Sequence, residues 1–430
     1  MSDRRNENSG SLNRRRLLKG MASGAAAACL GAAWARAQSA DPLDVLIDQN
    51  QRQGFDQGFD SASRRVQMPK ASLPTLSPAT AQTTEQAIGQ YEAIVARGGW
   101  PNVPPAERLR LGVRHPSVIS LRQRLTVAGD LEPNTVGNNV YDSYVESAVR
   151  RFQTRHGLFA DGIVQQHTFN ALNVPAEVRL NQLRTNVTRL RTFSASLKNK
   201  FVMCNIPAAL IEAVEGDVAV SRHTAVVGKA DRPSPDIQSR IVEVNFNPFW
   251  TVPASIVRKD LIPKMQAEPD YLTKYRIRIF DPRGSEMLPQ QINWYSEEAT
   301  NYQFKQDPGS LNSLGSIRIN FPSAHGVYMH DTPYRNLFGE DFRFHSSGCV
   351  RVQNVRELVS WLLAGSAGWS RPEIDEAIRS GERKDAKVAP QVPLLWVYVT
   401  AWATPDGVVQ FRDDIYNRDG VGQYAATSRR

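Results

Sequence analysis

The sequence predicts an α+β multidomain protein: a small three-helix module, then a β-rich domain carrying a mixed α/β insertion. Apolar residues recur at helical spacing from Glu85 to about Lys198, and short β-branched or aromatic runs separated by Gly, Pro and Asn take over from Lys200. The segment 260–306 interrupts that second pattern and reads as the insertion. At 430 residues, with 41% hydrophobic and 22% charged residues, the chain is long enough for two or three globular domains.

Residues 1–37 read as a twin-arginine signal peptide. Asn13-Arg14-Arg15-Arg16-Leu17-Leu18-Lys19 precedes an Ala/Gly-rich run from Met21 to Trp34, and Ala35-Arg36-Ala37 supplies small residues for cleavage. The run is too short and too weakly apolar for a membrane span, so a mature chain without a transmembrane segment is expected in the periplasm. These 37 residues hold seven Lys/Arg against two Asp/Glu, so the formal charge of +9 falls to +4 without them. The remaining basic residues are dispersed, and nucleic acid is not an expected partner.

Residues 38–83, rich in Gln, Ser, Ala, Asp and Pro, read as a flexible linker, and 84–197 as a helical domain. Within the latter, Val118, Leu121 and Leu125 form one amphipathic face, and Tyr144, Ala148 and Phe152 a second. Thr168, Leu172 and Val174 begin a third after the turn at Asp161-Gly162. Residues 181–198 read as a basic helix connecting to the next domain. That domain spans 198–425, with a core over 200–375, the insertion over 260–306 and C-terminal strands over 392–416. Strands are predicted at 201–206, 219–227, 241–245, 317–321 and 394–402, and a helix at 355–364. Asp406-Gly407 turns the last strand into a terminal hairpin.

The chemistry concentrates in 325–351. Cys349 follows Ser346-Ser347-Gly348, and fifteen residues separate His330 from Ser346. A thiol needs a base to become a nucleophile, and small neighbours leave its sulfur open to a carbonyl. His330 is the candidate base; His325 and His345 compete with it. The backbone N–H groups of Ser347, Gly348 and Cys349 are candidate oxyanion donors. Arg351 either binds a substrate carboxylate through its planar fork or braces the turn in a salt bridge. Tyr328 and Trp250 are pocket walls or core, and Ser346 either meets substrate or bonds within the Cys loop. Cys204 lies in an apolar run. It is either buried and inert beside a free Cys349, or disulfide-bonded to it. No Cys/His pairs have zinc spacing, and no cofactor is expected.

This His, spacer, Ser, Gly-Cys pattern resembles the signature of YkuD-type L,D-transpeptidases, with Ser347 where many members carry a second His. Asn247-Pro248-Phe249-Trp250-Thr251-Val252-Pro253, Leu314-Gly315 and Met329-His330-Asp331-Thr332-Pro333 resemble the large Gram-negative class. Residues Val118 to Leu172 resemble the peptidoglycan-binding domain type 1. The resemblance implies that Cys349 attacks a donor tetrapeptide stem of peptidoglycan, D-Ala leaves, and a diaminopimelate amine takes the thioester. It also implies carbapenem-type β-lactams as inhibitors and a substrate-capping role for the insertion. Hydrolysis of wall peptide links and a catalytically inactive wall-binding scaffold are the competing functions.

Overall fold

The computed structural model describes residues 73–133 and 138–420. The predicted signal peptide 1–37, most of the predicted linker, and the last residues of the predicted second domain lie outside the described residues. No helix among the described residues is long and apolar enough to cross a membrane.

Helix α1 (Pro78–Ala96) begins earlier than apolar spacing suggests. Ser77 accepts the Thr80 N–H, and Pro78 stands at the first turn, where its missing N–H costs nothing. Upstream, Thr75 donates its N–H (2.8 Å) and hydroxyl (3.1 Å) to the buried Glu212 carboxylate, which also pairs with Arg222. Residues 73–83 are therefore part of the fold, which corrects the linker boundary at 83.

Helices α2 (Ser117–Val127), α3 (Ser143–Arg155) and α4 (Gln166–Leu172) form the three-helix unit around Val118, Leu121, Leu125, Ala148, Phe152 and Leu172. Tyr144, expected on the inner face, is exposed, and Val145 takes that place. Gln153 is buried: its amide nitrogen donates to Asp161 and Ile163, and its oxygen accepts the Gly162 N–H, so it braces the turn.

Helix α5 (Ala176–Ser194) is more than a connector. It packs with α1 against the second domain through Leu180, Leu183 and Leu190. The ends of the three-helix unit meet there, since a Cβ on Gly99 would lie 3.4 Å from that of Ala176. The unit is thus inserted between two helices that belong to the second domain's core, and the boundary predicted at 84–197 cuts through that core. Each large apolar side chain fully buried there is worth about 1.5–3 kcal/mol, against about 5–15 kcal/mol for a whole domain. Deleting 84–197 is therefore expected to abolish cooperative thermal unfolding, whereas replacing 101–173 with a short Gly/Ser bridge leaves a folded protein. Calorimetry of the two truncations checks this.

The second domain is a nine-stranded sheet. In chain order the strands are β1 (Lys200–Asn205), β2 (Leu210–Glu215), β3 (Val218–Gly228), β4 (Ile237–Phe246), β9 (Ile317–Asn320), β10 (Met329–His330), β11 (Phe344–Ser346), β12 (Val350–Val352) and β13 (Lys384–Val397). Their spatial order is β11-β3-β12-β10-β9-β4-β13-β1-β2, and β2 also pairs with β3, so hydrogen bonding runs round a closed circuit. One face buries Val202, Cys204, Val244, Ile319, Met329, Val350 and Trp396 beneath helices α6 (Val355–Leu362) and α7 (Arg371–Arg379). Phe201, Met203, Val214 and Val397 face the other way, toward α1 and α5.

The predicted strand 394–402 is broken. Asn205 and Asn186 accept the N–H groups of Val399 and Thr400, which turns the chain out of the sheet before β14 (Ala401–Ala403). The hairpin to β15 (Val409–Phe411) follows as expected.

The insertion is a folded cap. Strands β5 (Trp250–Thr251), β6 (Ile277–Phe280), β7 (Glu286–Met287) and β8 (Gln303–Gln306) form a second sheet in the order β5-β8-β6-β7. They share an apolar cluster running from Trp250 to Leu314. The predicted bounds 260–306 were too narrow because β5 lies before them and pairs with β8 across the whole cap.

Two further histidines, His156 and His223, are buried. His156 stacks on Phe152 at 3.8 Å, and His223 bonds to Ser221 and the Gln353 carbonyl. Burial pushes the His156 ring well below its usual value, and the His223 ring down to about 4. A depressed folded-state value means that the unfolded chain binds protons first. Their stabilisation is present above about pH 6.5 and is lost as pH falls toward 4. The thermal midpoint is expected to fall over that window, and less steeply in His223→Gln.

Candidate active site

Strand β10 places the site. It lies between β9, antiparallel, and β12, parallel, with Met329 opposite Ile319 and Val350, and His330 opposite Arg318 and Arg351. Side chains alternate across a strand, so Met329, Ile319 and Val350 enter the core while His330, Arg318 and Arg351 share the other face. Stepping back two residues along each strand adds Tyr328 and Cys349 to that face. The Val350 N–H donates to the Tyr328 carbonyl and holds the pair together.

The Cys349 thiol is free and part-exposed, and it touches the backbone N–H and hydroxyl of Tyr328. Burial of the sulfur pushes the thiol up to about 11, opposed by Tyr328 and by the Arg318 and Arg351 guanidiniums. The Tyr328 hydroxyl accepts from Trp250 Nε1–H at 3.1 Å, which leaves its own proton for the sulfur. Arg318 stacks 4.3 Å over the Tyr328 ring. Cys204 is buried in the core and also free, so the two cysteines form no disulfide.

His330 is buried, and its Nδ1–H donates to the Asp331 carbonyl, which fixes the tautomer and leaves the Nε2 lone pair exposed to the site. Burial, then Arg351, then Arg318 drive its value down to about 3, so the ring is neutral at pH 7. No hydrogen bond joins it to the thiol among the described residues; such contacts tighten when substrate arrives. The Asp331 carboxylate is used elsewhere, accepting both the N–H and hydroxyl of Ser316 at 2.9 Å. The competing histidines are set apart: His325 is exposed, and His345 Nε2 is held by Glu340 and the Phe342 carbonyl.

The Cys loop departs from expectation at two residues. Gly348 N–H donates to Ser346 Oγ at 3.2 Å, so it is not available as an oxyanion donor. Ser346, 4% exposed, spends its hydroxyl on that bond and on the Cys349 carbonyl, and so braces the loop and cannot meet substrate. Among the described residues, the N–H groups of Ser347 and Cys349 have no hydrogen-bond acceptor. Gly348 has φ +114°, a conformation that side chains disfavour, and this lets the loop bend sharply before Cys349. Trp250, 5% exposed, belongs to the cap's core and acts on the site only through Tyr328.

Among the described residues Arg351 makes no ion pair, so the bracing salt bridge is not formed with any of them. It is 7% exposed, its Nε and Nη1 lack partners, and burial lowers it to about 10. Arg318, whose Nε is likewise unpartnered, was missed in the sequence. The available signal was the alternation in Ile317-Arg318-Ile319-Asn320, which puts a cation on the polar face of a buried strand.

Residues 199–374 match the L,D-transpeptidase catalytic domain family, YkuD, and residues 114–172 match a putative peptidoglycan binding domain. Over those bounds the chain is similar to that family. It is 34% identical over 239 residues to a putative L,D-transpeptidase of Haemophilus influenzae, a match covering 55% of this chain and 48% of that protein. A second match, 39% identical over 80 residues, is to the N-acetylmuramoyl-L-alanine amidase CwlM of Mycobacterium tuberculosis, covering 17% of this chain and 20% of that one. The chain thus spans about half or less of the curated relatives it matches. Among solved structures, an L,D-transpeptidase from Xylanimonas cellulosilytica is 16% identical, with 68% of this chain and 100% of that one covered at a TM-score of 0.22. The Ldtfm–avibactam carbamoyl enzyme is 10% identical, covering 73% and 98% at a TM-score of 0.22.

Proposed function

We propose that this protein is a periplasmic L,D-transpeptidase that cross-links peptidoglycan stem peptides through an acyl thioester on Cys349. One observation carries the reading: a free thiol, a neutral imidazole whose Nδ1–H is taken by Asp331, and two guanidiniums with unpartnered nitrogens share one face of the sheet. The Cys349 sulfur attacks the carbonyl that joins the third stem residue to D-Ala, and His330 Nε2 takes the thiol proton. As the C–N bond breaks, His330 returns that proton to the departing amine. Negative charge on the carbonyl oxygen is met by the N–H groups of Ser347 and Cys349, each worth ~3 kcal/mol of barrier. The diaminopimelate amine of a second stem then displaces the thiol, which completes the link.

Arg351 and Arg318 offer unpaired N–H groups to a carboxylate of the donor stem. The cap, with its own apolar core above Tyr328, supports transfer over hydrolysis by excluding water from the thioester. The twin-arginine pattern at Arg14-Arg15-Arg16 supports the periplasmic location.

Incubation with disaccharide-tetrapeptide followed by mass spectrometry tests the reading. Cross-linked dimers with loss of D-Ala are expected; shortened monomers alone would make the protein a hydrolase. A carbapenem is expected to leave a single adduct on Cys349, and failure to form one would favour the inactive scaffold.

A further inference from the structure

Ser347 occupies the position where many family members carry a second histidine, and its side chain is held by a residue outside that motif. Arg232, on the connection between β3 and β4, donates Nη1–H to Ser347 Oγ at 3.0 Å. The same guanidinium grips Asp260 with both terminal nitrogens, Nη1 at 2.5 Å and Nη2 at 2.8 Å. The pair is largely withdrawn from water, the two side chains being 13% and 6% exposed. Asp231 also lies near Arg232, at 3.9 Å, but it is exposed at the surface.

The three residues come from three separate parts of the fold. Asp260 belongs to the cap, in a π-helical stretch (Val257–Leu261) whose Val257 and Leu261 enter the cap's apolar cluster. A π-turn inserts a residue into a helix and re-aims its side chains, a feature common at functional sites. Here Asp260 points out of the cap's own core toward Arg232. The β3–β4 connection is in turn pressed onto the Cys loop. Ser234 accepts the Gly228 N–H and donates to the Gly348 carbonyl at 2.8 Å, and a Cβ on Gly228 would fall 2.4 Å from the Arg232 carbonyl oxygen. Arg232 therefore has little freedom to follow the cap, and a buried ion pair survives only while both partners stay together.

We infer that Arg232 is a positioning residue that latches the cap to the Cys loop, so that the cap's seat on Asp260 sets the aim of the Ser347 N–H at the acyl carbonyl oxygen. The inference rests on the thioester reading above. Arg232 touches no reacting atom. It holds the side chain of Ser347, whose backbone N–H is one of the two free donors. When the Asp260 arm is lost, the buried ion pair that aims the guanidinium is broken, and the Ser347 amide drifts from the line of the developing oxyanion. A misplacement of this kind costs roughly 10- to 100-fold in rate.

The test uses the full mature chain with Asp260→Asn, Ser347→Ala and the double variant. The rate of Cys349 acylation by a carbapenem is measured together with the infrared stretch of the ¹³C-labelled thioester carbonyl, which reports directly on hydrogen bonding to its oxygen. Both single variants keep the Ser347 N–H, yet each is expected to acylate roughly 10- to 100-fold more slowly. Each should also shift the carbonyl stretch to higher frequency. Because Asp260 and Ser347 act through one guanidinium, the double variant should lose little more than the worse single one. Wild-type rates and an unshifted stretch in a folded Asp260→Asn variant would overturn the latch while leaving the transpeptidase reading intact, and so would fully multiplicative losses in the double variant. A wild-type protein that forms no adduct on Cys349 overturns both.

Discussion

Cys349→Ala is expected to abolish both muropeptide cross-linking and the carbapenem adduct while leaving the fold unchanged. Among the described residues the sulfur is the free thiol on the site's face, since Cys204 lies in the core, and the Ser346 hydroxyl is engaged by the Gly348 N–H and the Cys349 carbonyl. Removing one part-exposed sulfur leaves no large cavity, so the thermal midpoint should stay within a few degrees of wild type. Intact-protein mass spectrometry after carbapenem treatment gives the readout. An adduct of the same mass in Cys349→Ala would place the chemistry on another residue and end the assignment. Cys204→Ser serves as the control. It puts a hydroxyl into an apolar core, so it is expected to lower stability and still form the adduct at Cys349.

His330→Ala is expected to slow acylation by at least about 100-fold near pH 7, the usual scale for loss of a general base. The pH profile makes this more specific. With burial and two guanidiniums holding the ring down to about 3, His330 is unprotonated across the whole working range. The thiol, at about 11, is protonated over the same range. Wild-type acylation, with the ring removing the proton from a neutral thiol, should therefore be nearly flat from pH 5 to about 9. In His330→Ala the thiol must ionise unaided, so the rate should climb with pH toward 11, and the gap to wild type should narrow. A variant whose deficit is the same at every pH would show that the ring orders the site without moving a proton. Larger losses in His325→Ala or His345→Ala would transfer the base role to those residues.

The site's chemical residues were legible because they are crowded into a short stretch. A cysteine after small residues, with a histidine at a fixed interval before it, is a local pattern, and the β10–β12 register realises it through two adjacent strands. The three-helix unit was legible for the same reason: the apolar spacing of Val118, Leu121 and Leu125 needs no distant partner to be recognised. Arg318 was not visible, because only its pairing opposite His330 across β9 and β10 brings its charge to the thiol. Nor were the engaged amide of Gly348, the missing partner of Arg351, or the grip of Arg232 on Asp260 and Ser347. Each concerns hydrogen-bond partners, or their absence, that only the folded loop and its neighbours settle.

The domain boundaries followed the same division. Periodicity identified α5 as a helix, but its apolar face reads alike whether it meets a neighbouring helix or strands as far on in sequence as β15. The break at 398–400 depends on Asn186 and Asn205 taking the backbone N–H groups of Thr400 and Val399, which no local propensity encodes. By itself the sequence determined the α+β class and singled out the cysteine and histidine that the fold brings to one face of neighbouring strands. Only the tertiary structure decided which amides stay unpaired, which cations lack counter-ions and how the cap is tied to the Cys loop. The physical reason is that apolar periodicity and motif spacing are short-range properties of a chain, whereas the satisfaction of buried polar groups is settled by whichever residues the completed fold brings within about 3 Å.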